Sequence, residues 1–206
     1  MSKQTIVTIG RQFGSGGREI GSLLAERLGV KCYDNELLSI AAKESGLCEE
    51  IFKFHDEKPT NSFLYSLVMD SYQSYNGVGV HGLPLGQQVF LAQFEAIKKI
   101  AKNESCVFVG RCADYALRDD FDITSVFILS DEQSKIKRIC ERHEVSEAKA
   151  RELMIKTDKK RASYYNYYTD KKWGNSISYD LCINSGKLGI DKAVELIMKY
   201  IELTKK

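Results

Sequence analysis

The order of segments in this chain predicts an α/β fold, with a parallel sheet covered by helices on both faces in three α/β/α layers. Three observations predict it. Short β-branched runs alternate with helical patterns through most of the chain, the order that right-handed crossovers fold into a parallel sheet. The first run, Thr5 to Ile9, opens onto a glycine-rich turn that leads straight into a helix. At 206 residues and 43% apolar composition, the chain has single-domain length and enough material for a sizeable core.

Each element has its own signal. After the turn from Gly10 to Gly17, residues Arg18 to Leu28 place Ile20, Leu23, Leu24 and Leu28 on one helical face, and Gly29 is the expected C-cap. Val30 to Tyr33 reads as a second strand, followed by Asp34 and a helix carrying Leu37, Leu38, Ile40 and Ala41. From about Ser45 to Leu85 the pattern is less regular; this stretch holds both prolines, and Tyr75 to Gly82 reads as a loop. Helical spacing returns over Gln87 to Lys102, then come a buried strand at Ser105 to Val109 and another at Ile123 to Ile128. Asp131 to His143 is a helix with acids in its first turn. Ser146 to Arg161 is helical and basic, and is followed by Tyr164, Tyr165, Tyr167, Tyr168 and Trp173. A strand at Tyr179 to Ile183 and a helix at Ile190 to Leu203 close the chain.

Composition excludes several functions. A net charge of +2 in a chain that is 28% charged makes no case for nucleic acid or a membrane surface as partner. The N-terminus has no signal-peptide core, and no apolar run approaches membrane-spanning length. The six cysteines form no CxxC pair, so reduced thiols in a soluble cytoplasmic protein are expected. The three histidines form no metal spacing. The oligomeric state stays open.

The chemistry centres on the turn. A strand, a glycine-rich loop and a helix start make a phosphate cradle: glycines allow close backbone approach, and inward N–H groups and the helix dipole attract anionic oxygens. Arg11, Gly14, Ser15, Gly16, Gly17, Arg18 and Glu19 are the candidate cofactor-binding residues. Against the signature GxxxxGK[ST], Arg11 falls at the first glycine, Gly17 at the lysine and Arg18 at the hydroxyl residue; a frame shifted by one puts Arg18 at the lysine and Glu19 at the hydroxyl. Arg18 can replace the lysine, because a guanidinium forks onto phosphate. Neither frame supplies the hydroxyl that holds magnesium.

Thr8 to Ile20 (TIGRQFGSGGREI), Leu24 to Asp34 (LAERLGVKCYD), Gly110 to Tyr115 (GRCADY), Trp173 and Tyr179 to Asn184 together resemble the cytidylate kinase-like family of P-loop proteins. The resemblance covers nearly the whole chain and implies a P-loop kinase fold as one domain over 1–206. It implies a mostly helical acceptor-binding insertion at 45–85 and a helical lid at 144–175. It further implies ATP as phosphoryl donor, magnesium held mainly through nucleotide and water with no protein metal site, and nucleotides as the small-molecule partners. Asp34 and Arg111 match acceptor-binding positions, while Cys112 stands where the family's kinases carry an acid.

The basic run Arg151, Lys156, Lys159, Lys160 and Arg161 lies where a lid would place positive charge on a moving phosphoryl group. Arg18, Lys160 and Arg161 are therefore the candidate catalytic residues, with Asp158 beside Arg161 on one helical face as a further substrate contact. A solvated basic face is the plain alternative. Asp34 fits helix capping and acceptor binding equally, the aromatic group fits lid packing better than base stacking, and Arg138 and Arg142 fit a ligand contact or a surface role. Cys112 reads as a packing residue. The expected function is transfer from ATP to a nucleoside monophosphate such as CMP. Two alternatives stand beside it: a nucleotide-binding sensor that has lost catalysis, and a kinase of a non-nucleotide metabolite.

Overall fold

In a computed structural model, residues 4–46, 48–57 and 83–204 are described. The expected loop at Tyr75 to Gly82 and most of the 45–85 segment lie outside them. Five parallel strands form one sheet in the order β2-β3-β1-β4-β5, with β1 Ile6–Arg11, β2 Lys31–Tyr33, β3 Cys106–Val109, β4 Ile123–Leu129 and β5 Leu181–Asn184. The order reverses next to β1, so the carboxyl ends of β1, β3 and β4 surround a crevice, the usual ligand position of such sheets.

Period-two alternation splits the strand side chains between two cores. Cys106 and Phe108 face one side with Tyr33, α2 (Glu36–Ser45), α3 (Glu49–His55) and α4 (Leu85–Asn103). Val7, Ile9 and Val107 face the other, against α1 (Gly17–Leu28) and a C-terminal helix over Ile190–Thr204. Gly29 ends α1 at φ 66°, its N–H bonded to the Ala25 and Glu26 carbonyls. Between β3 and β4 lies the short α5 (Ala113–Leu117). Beyond β4 come α6 (Glu132–His143), capped by the Asp131 side chain on Ser134 N, and α7 (Glu147–Tyr168), capped by Ser146. The short α8 (Ser185–Leu188) and then α9 (Ile190–Thr204) end the fold.

One boundary differs from the sequence reading. The basic helix does not stop at Arg161; α7 runs on through the tyrosines to Tyr168. Tyr164, Tyr165 and Tyr168 are buried against Phe90, Leu91 and Cys112, and this packing carries the helix through its aromatic end. The far end of α7 is thus anchored to the core, while its middle faces the crevice.

No helix among the described residues is long and apolar enough to cross a membrane. The thiols divide by burial: Cys106 and Cys112 are buried, Cys48 and Cys182 exposed. Burial pushes the Cys106 thiol up to about 12 and the Cys112 thiol well above its usual value. A thiol-alkylating reagent at pH 8 is accordingly expected to label Cys48 and Cys182 and to spare Cys106 and Cys112 until unfolding. Mass spectrometry of peptides checks this, and early labelling of Cys112 would contradict its packing role.

Candidate functional site

The loop between β1 and α1 is built from glycines that nothing else could replace. Gly14 and Gly16 sit at φ 78° and 77°, the left-handed region, and a Cβ at Gly14 would stand 2.9 Å from both Ile139 and the Lys135 carbonyl. Among the described residues no side chain caps the first turn of α1, which starts at Gly17. Uncapped amides beside close-approach glycines fit a phosphate chain. Ser15 turns inward: it is fully buried, donates from Oγ to the Gln12 carbonyl at 2.9 Å, and its own carbonyl accepts from Ser185. Glu19 points to solvent from the exposed side of α1.

Helices α6 and α7 hold the loop from outside. Asp158 Oδ1 accepts from Phe13 N at 2.6 Å, Arg138 Nη1 donates to the Gly14 carbonyl at 2.7 Å, and Lys135 Nζ donates to Gln12 Oε1 at 3.3 Å. Burial raises the Asp158 carboxyl, opposed by the Phe13 amide and by Lys135. Asp158→Ala removes a charge-assisted bond and leaves a loop amide unpaired. A loss of about 1.5–3 kcal/mol is expected, with faster hydrogen exchange at Phe13 as the local readout.

On the acceptor side the chain strains to place Arg111. Gly110, Arg111 and Cys112 take φ of 79°, 57° and 55°, three consecutive left-handed residues of which two carry a Cβ. Such strain persists only where the surroundings over-determine it. Arg111 forks onto Asp56 (Nε–Oδ1 2.7 Å, Nη2–Oδ2 2.8 Å), reaches Asp34 Oδ1 at 2.9 Å, and donates to Asn35 at 3.2 Å. Burial alone would lower its basicity, but Glu57, Asp56 and Asp34 raise it well above the ordinary arginine value. Asp34 also pairs with Arg18 Nε at 2.9 Å. It does not cap α2, whose N-cap is Asn35, and the Asn35 side chain makes no capping hydrogen bond to the helix.

Glu57 sits at the centre of this site. It is buried, left-handed at φ 49°, and accepts from Arg11 Nη1 at 2.9 Å and Arg161 Nε at 3.3 Å, with Arg111 4.0 Å away. Burial would push its carboxyl up; Arg11, Arg111 and Arg161 outweigh that and hold it well below the usual carboxylate range. Burial, then the charge on Arg11, brings the Arg161 guanidinium down to about 10.

These groups enclose a cavity of about 250 Å³. Of the residues expected from sequence, Arg11, Gly14, Gly16, Gly17, Arg18, Asp34, Arg111 and Arg161 line it. Ser15, Glu19, Lys160 and Asp158 do not, although Asp158 fixes the loop that does. Arg138 and Arg142 also face it. Sequence reasoning missed Asp56 and Glu57: they follow α3 inside the stretch that carried no clear periodicity, and only the fold brings them to Arg111. Among the described residues no group of three His, Cys, Asp or Glu is disposed to hold a metal ion.

The cytidylate kinase-like family model matches residues 6–187. A cytidylate kinase of Archaeoglobus fulgidus is 26% identical over 203 residues, covering 97% of this chain and 96% of its own length. Among solved structures, an uncharacterized protein from Eubacterium ventriosum is 36% identical with a TM-score of 0.74, covering 97% of this chain and 99% of that one. A shikimate kinase from Bacteroides thetaiotaomicron, 13% identical with a TM-score of 0.55 over 96% of this chain and 98% of its own, shares the fold. The glycine loop on β1, the Gly110-Arg111 turn after β3 and the match over 6–187 agree: the chain belongs to the cytidylate kinase-like family.

Proposed function

We propose that the protein transfers a phosphoryl group from ATP to a small acceptor, with a nucleoside monophosphate such as CMP as the acceptor class. The observation that carries this reading is the charge of the cavity. Among the described residues, six arginines and three carboxylates line it, although the chain as a whole is only +2. A positive excess concentrated beside a glycine loop suits a site that gathers two phosphorylated ligands.

In this reading the loop from Gly14 to Arg18 takes the donor phosphates. Asp34 and Arg111, with the 45–85 segment, take the acceptor. Arg161 on α7 closes positive charge over the transferring group as part of the 144–175 lid, Lys160 adds to the charge of that helix from outside the cavity, and Arg18 stands at the junction of the two sides. Magnesium fits as an ion carried by the nucleotide and water, since the carboxylates near the loop are committed to arginines. Bound there, it would neutralise charge on the phosphates. The protein's own part is positioning and exclusion of water, which supplies most of the acceleration in this chemistry.

The test is phosphoryl transfer from ATP with magnesium to a panel of nucleoside monophosphates and small hydroxyl metabolites. Transfer to CMP or a close relative is the expected result. Transfer only to a non-nucleotide would reassign the acceptor, and ATP binding without transfer to any acceptor would favour a sensor.

A further inference from the structure

The loop departs from the GxxxxGK[ST] signature at two positions, and the structure shows that they are one departure. Arg11 occupies the place of the first glycine, and Gly17 the place of the lysine. A Cβ built on Gly17 would overlap the Cβ of Arg11 and lie 3.1 Å from its Cγ. That Cβ belongs to a strand residue and cannot swing away, so any side chain at 17 excludes any side chain at 11. The two positions share one volume, and this chain fills it from the strand instead of from the helix.

The Arg11 side chain uses the space. It passes over Gly110, where an added Cβ would strike the guanidinium itself, and it lines the 250 Å³ cavity together with the loop. It is buried, at 8% exposure, and among the described residues Glu57 is the carboxylate that accepts a hydrogen bond from it. Arg161 donates to its backbone carbonyl at 3.3 Å, which ties α7 to the same point. Arg18, by contrast, has a side chain 55% exposed and is paired with Asp34. A buried guanidinium with two glycines cleared around it is a built feature; a half-exposed one is not.

We infer that Arg11 is the loop's phosphate-binding cation, exchanged in position with Gly17, and that Glu57 holds its charge until a phosphate replaces the carboxylate. Arg11 reaches the site from the end of β1, between the loop and Arg111, and so meets the terminal phosphate of a polyphosphate chain. Its planar fork binds two phosphate oxygens at once, where a lysine would bind as a point charge. The inference rests on the phosphoryl-transfer reading for its catalytic consequence, but its binding consequence stands alone.

The experiment compares wild type, R11G, R11G/G17K and R18A, each checked for cooperative unfolding. Calorimetric titration with inorganic tripolyphosphate and with ATP is followed by turnover. R11G is expected to weaken tripolyphosphate at least about tenfold and to lower kcat about 10²–10³-fold. R11G/G17K, which moves the cation back to the helix in the vacated volume, is expected to regain at least about tenfold in affinity over R11G. R18A is expected to lose less tripolyphosphate affinity than R11G does, because its guanidinium is half-exposed and already paired with Asp34. The inference is overturned if folded R11G binds tripolyphosphate as wild type does, if folded R11G/G17K binds no better than R11G, or if wild type binds no polyphosphate. If wild type binds polyphosphate and the affinity series holds while no acceptor is phosphorylated, the transfer reading fails and the assignment of Arg11 stands.

Discussion

Arg111→Ala is expected to lower stability by about 3–5 kcal/mol, because it removes a buried guanidinium shared by three carboxylates and takes the forked pair from Asp56, while Asp34 keeps Arg18 and Glu57 keeps Arg11 and Arg161. Asp34, Asp56 and Glu57 all lie within 4.0 Å of it, and its side chain is 3% exposed. For a chain of this length the loss corresponds to a fall in Tm of about 6–20 °C. Arg111→Lys keeps the charge but cannot fork onto Asp56, so it should recover only part of the difference. The deficit also depends on pH. Three arginines hold the Glu57 carboxyl well below the usual carboxylate range, so its stabilisation is present above the unfolded-chain value near 4.5 and is lost as pH falls through the folded one. The gap between wild type and Arg111→Ala should therefore narrow below about pH 4.5 as Glu57, held less firmly without Arg111, takes up a proton. Thermal melts across pH 3–8 check this, and a gap that widens on acidification would remove the charge-network account.

Tyr168→Ala is expected to cost about 3–5 kcal/mol for a different reason, a cavity. Tyr168 is fully buried and its ring stacks on Phe90 with centroids 4.0 Å apart and planes 7° from parallel. Its hydroxyl donates to the Gly86 carbonyl at 3.3 Å, so Tyr168→Phe should cost no more than about 1 kcal/mol. Arg161 and Asp158 lie two and nearly three turns earlier on the same helix, and the anchor therefore sets their position over the loop. The alanine variant should weaken polyphosphate binding as well as stability, while the phenylalanine variant should change neither appreciably. If binding survives in Tyr168→Ala while stability falls, the aromatic anchor does not position the middle of α7.

The parts of this molecule legible in its sequence are those with local causes. The β-branched run at Ile6 to Ile9, the glycines that require left-handed backbone and the apolar face of α1 each act within a few residues, and each was readable. Arg11, Arg18, Asp34 and Arg111, which line the cavity, could be named because loop, helix-start and strand-end positions are where such a fold puts ligands, and Arg161 from the lid that the family resemblance implies. What could not be read depends on tertiary pairing. Glu57 reaches Arg11 across a sequence separation of 46 residues and Arg161 across 104, and no period or motif encodes either contact. Asp158 was named for the acceptor, yet its carboxylate is spent on the amide of Phe13, 145 residues away. The exchange between positions 11 and 17 looks in sequence like a defective signature; only the shared volume shows it as a substitution of one cation for another.

The central claim is that the loop at Gly14 to Arg18 reads a polyphosphate tail. The most direct measurement is calorimetric titration of the protein with ATP, ADP and AMP in magnesium at one fixed salt concentration. One site per chain is expected, with affinity rising with each added phosphate and competition between tripolyphosphate and ATP. Equal affinity for all three nucleotides, or no binding of ATP, would contradict that claim.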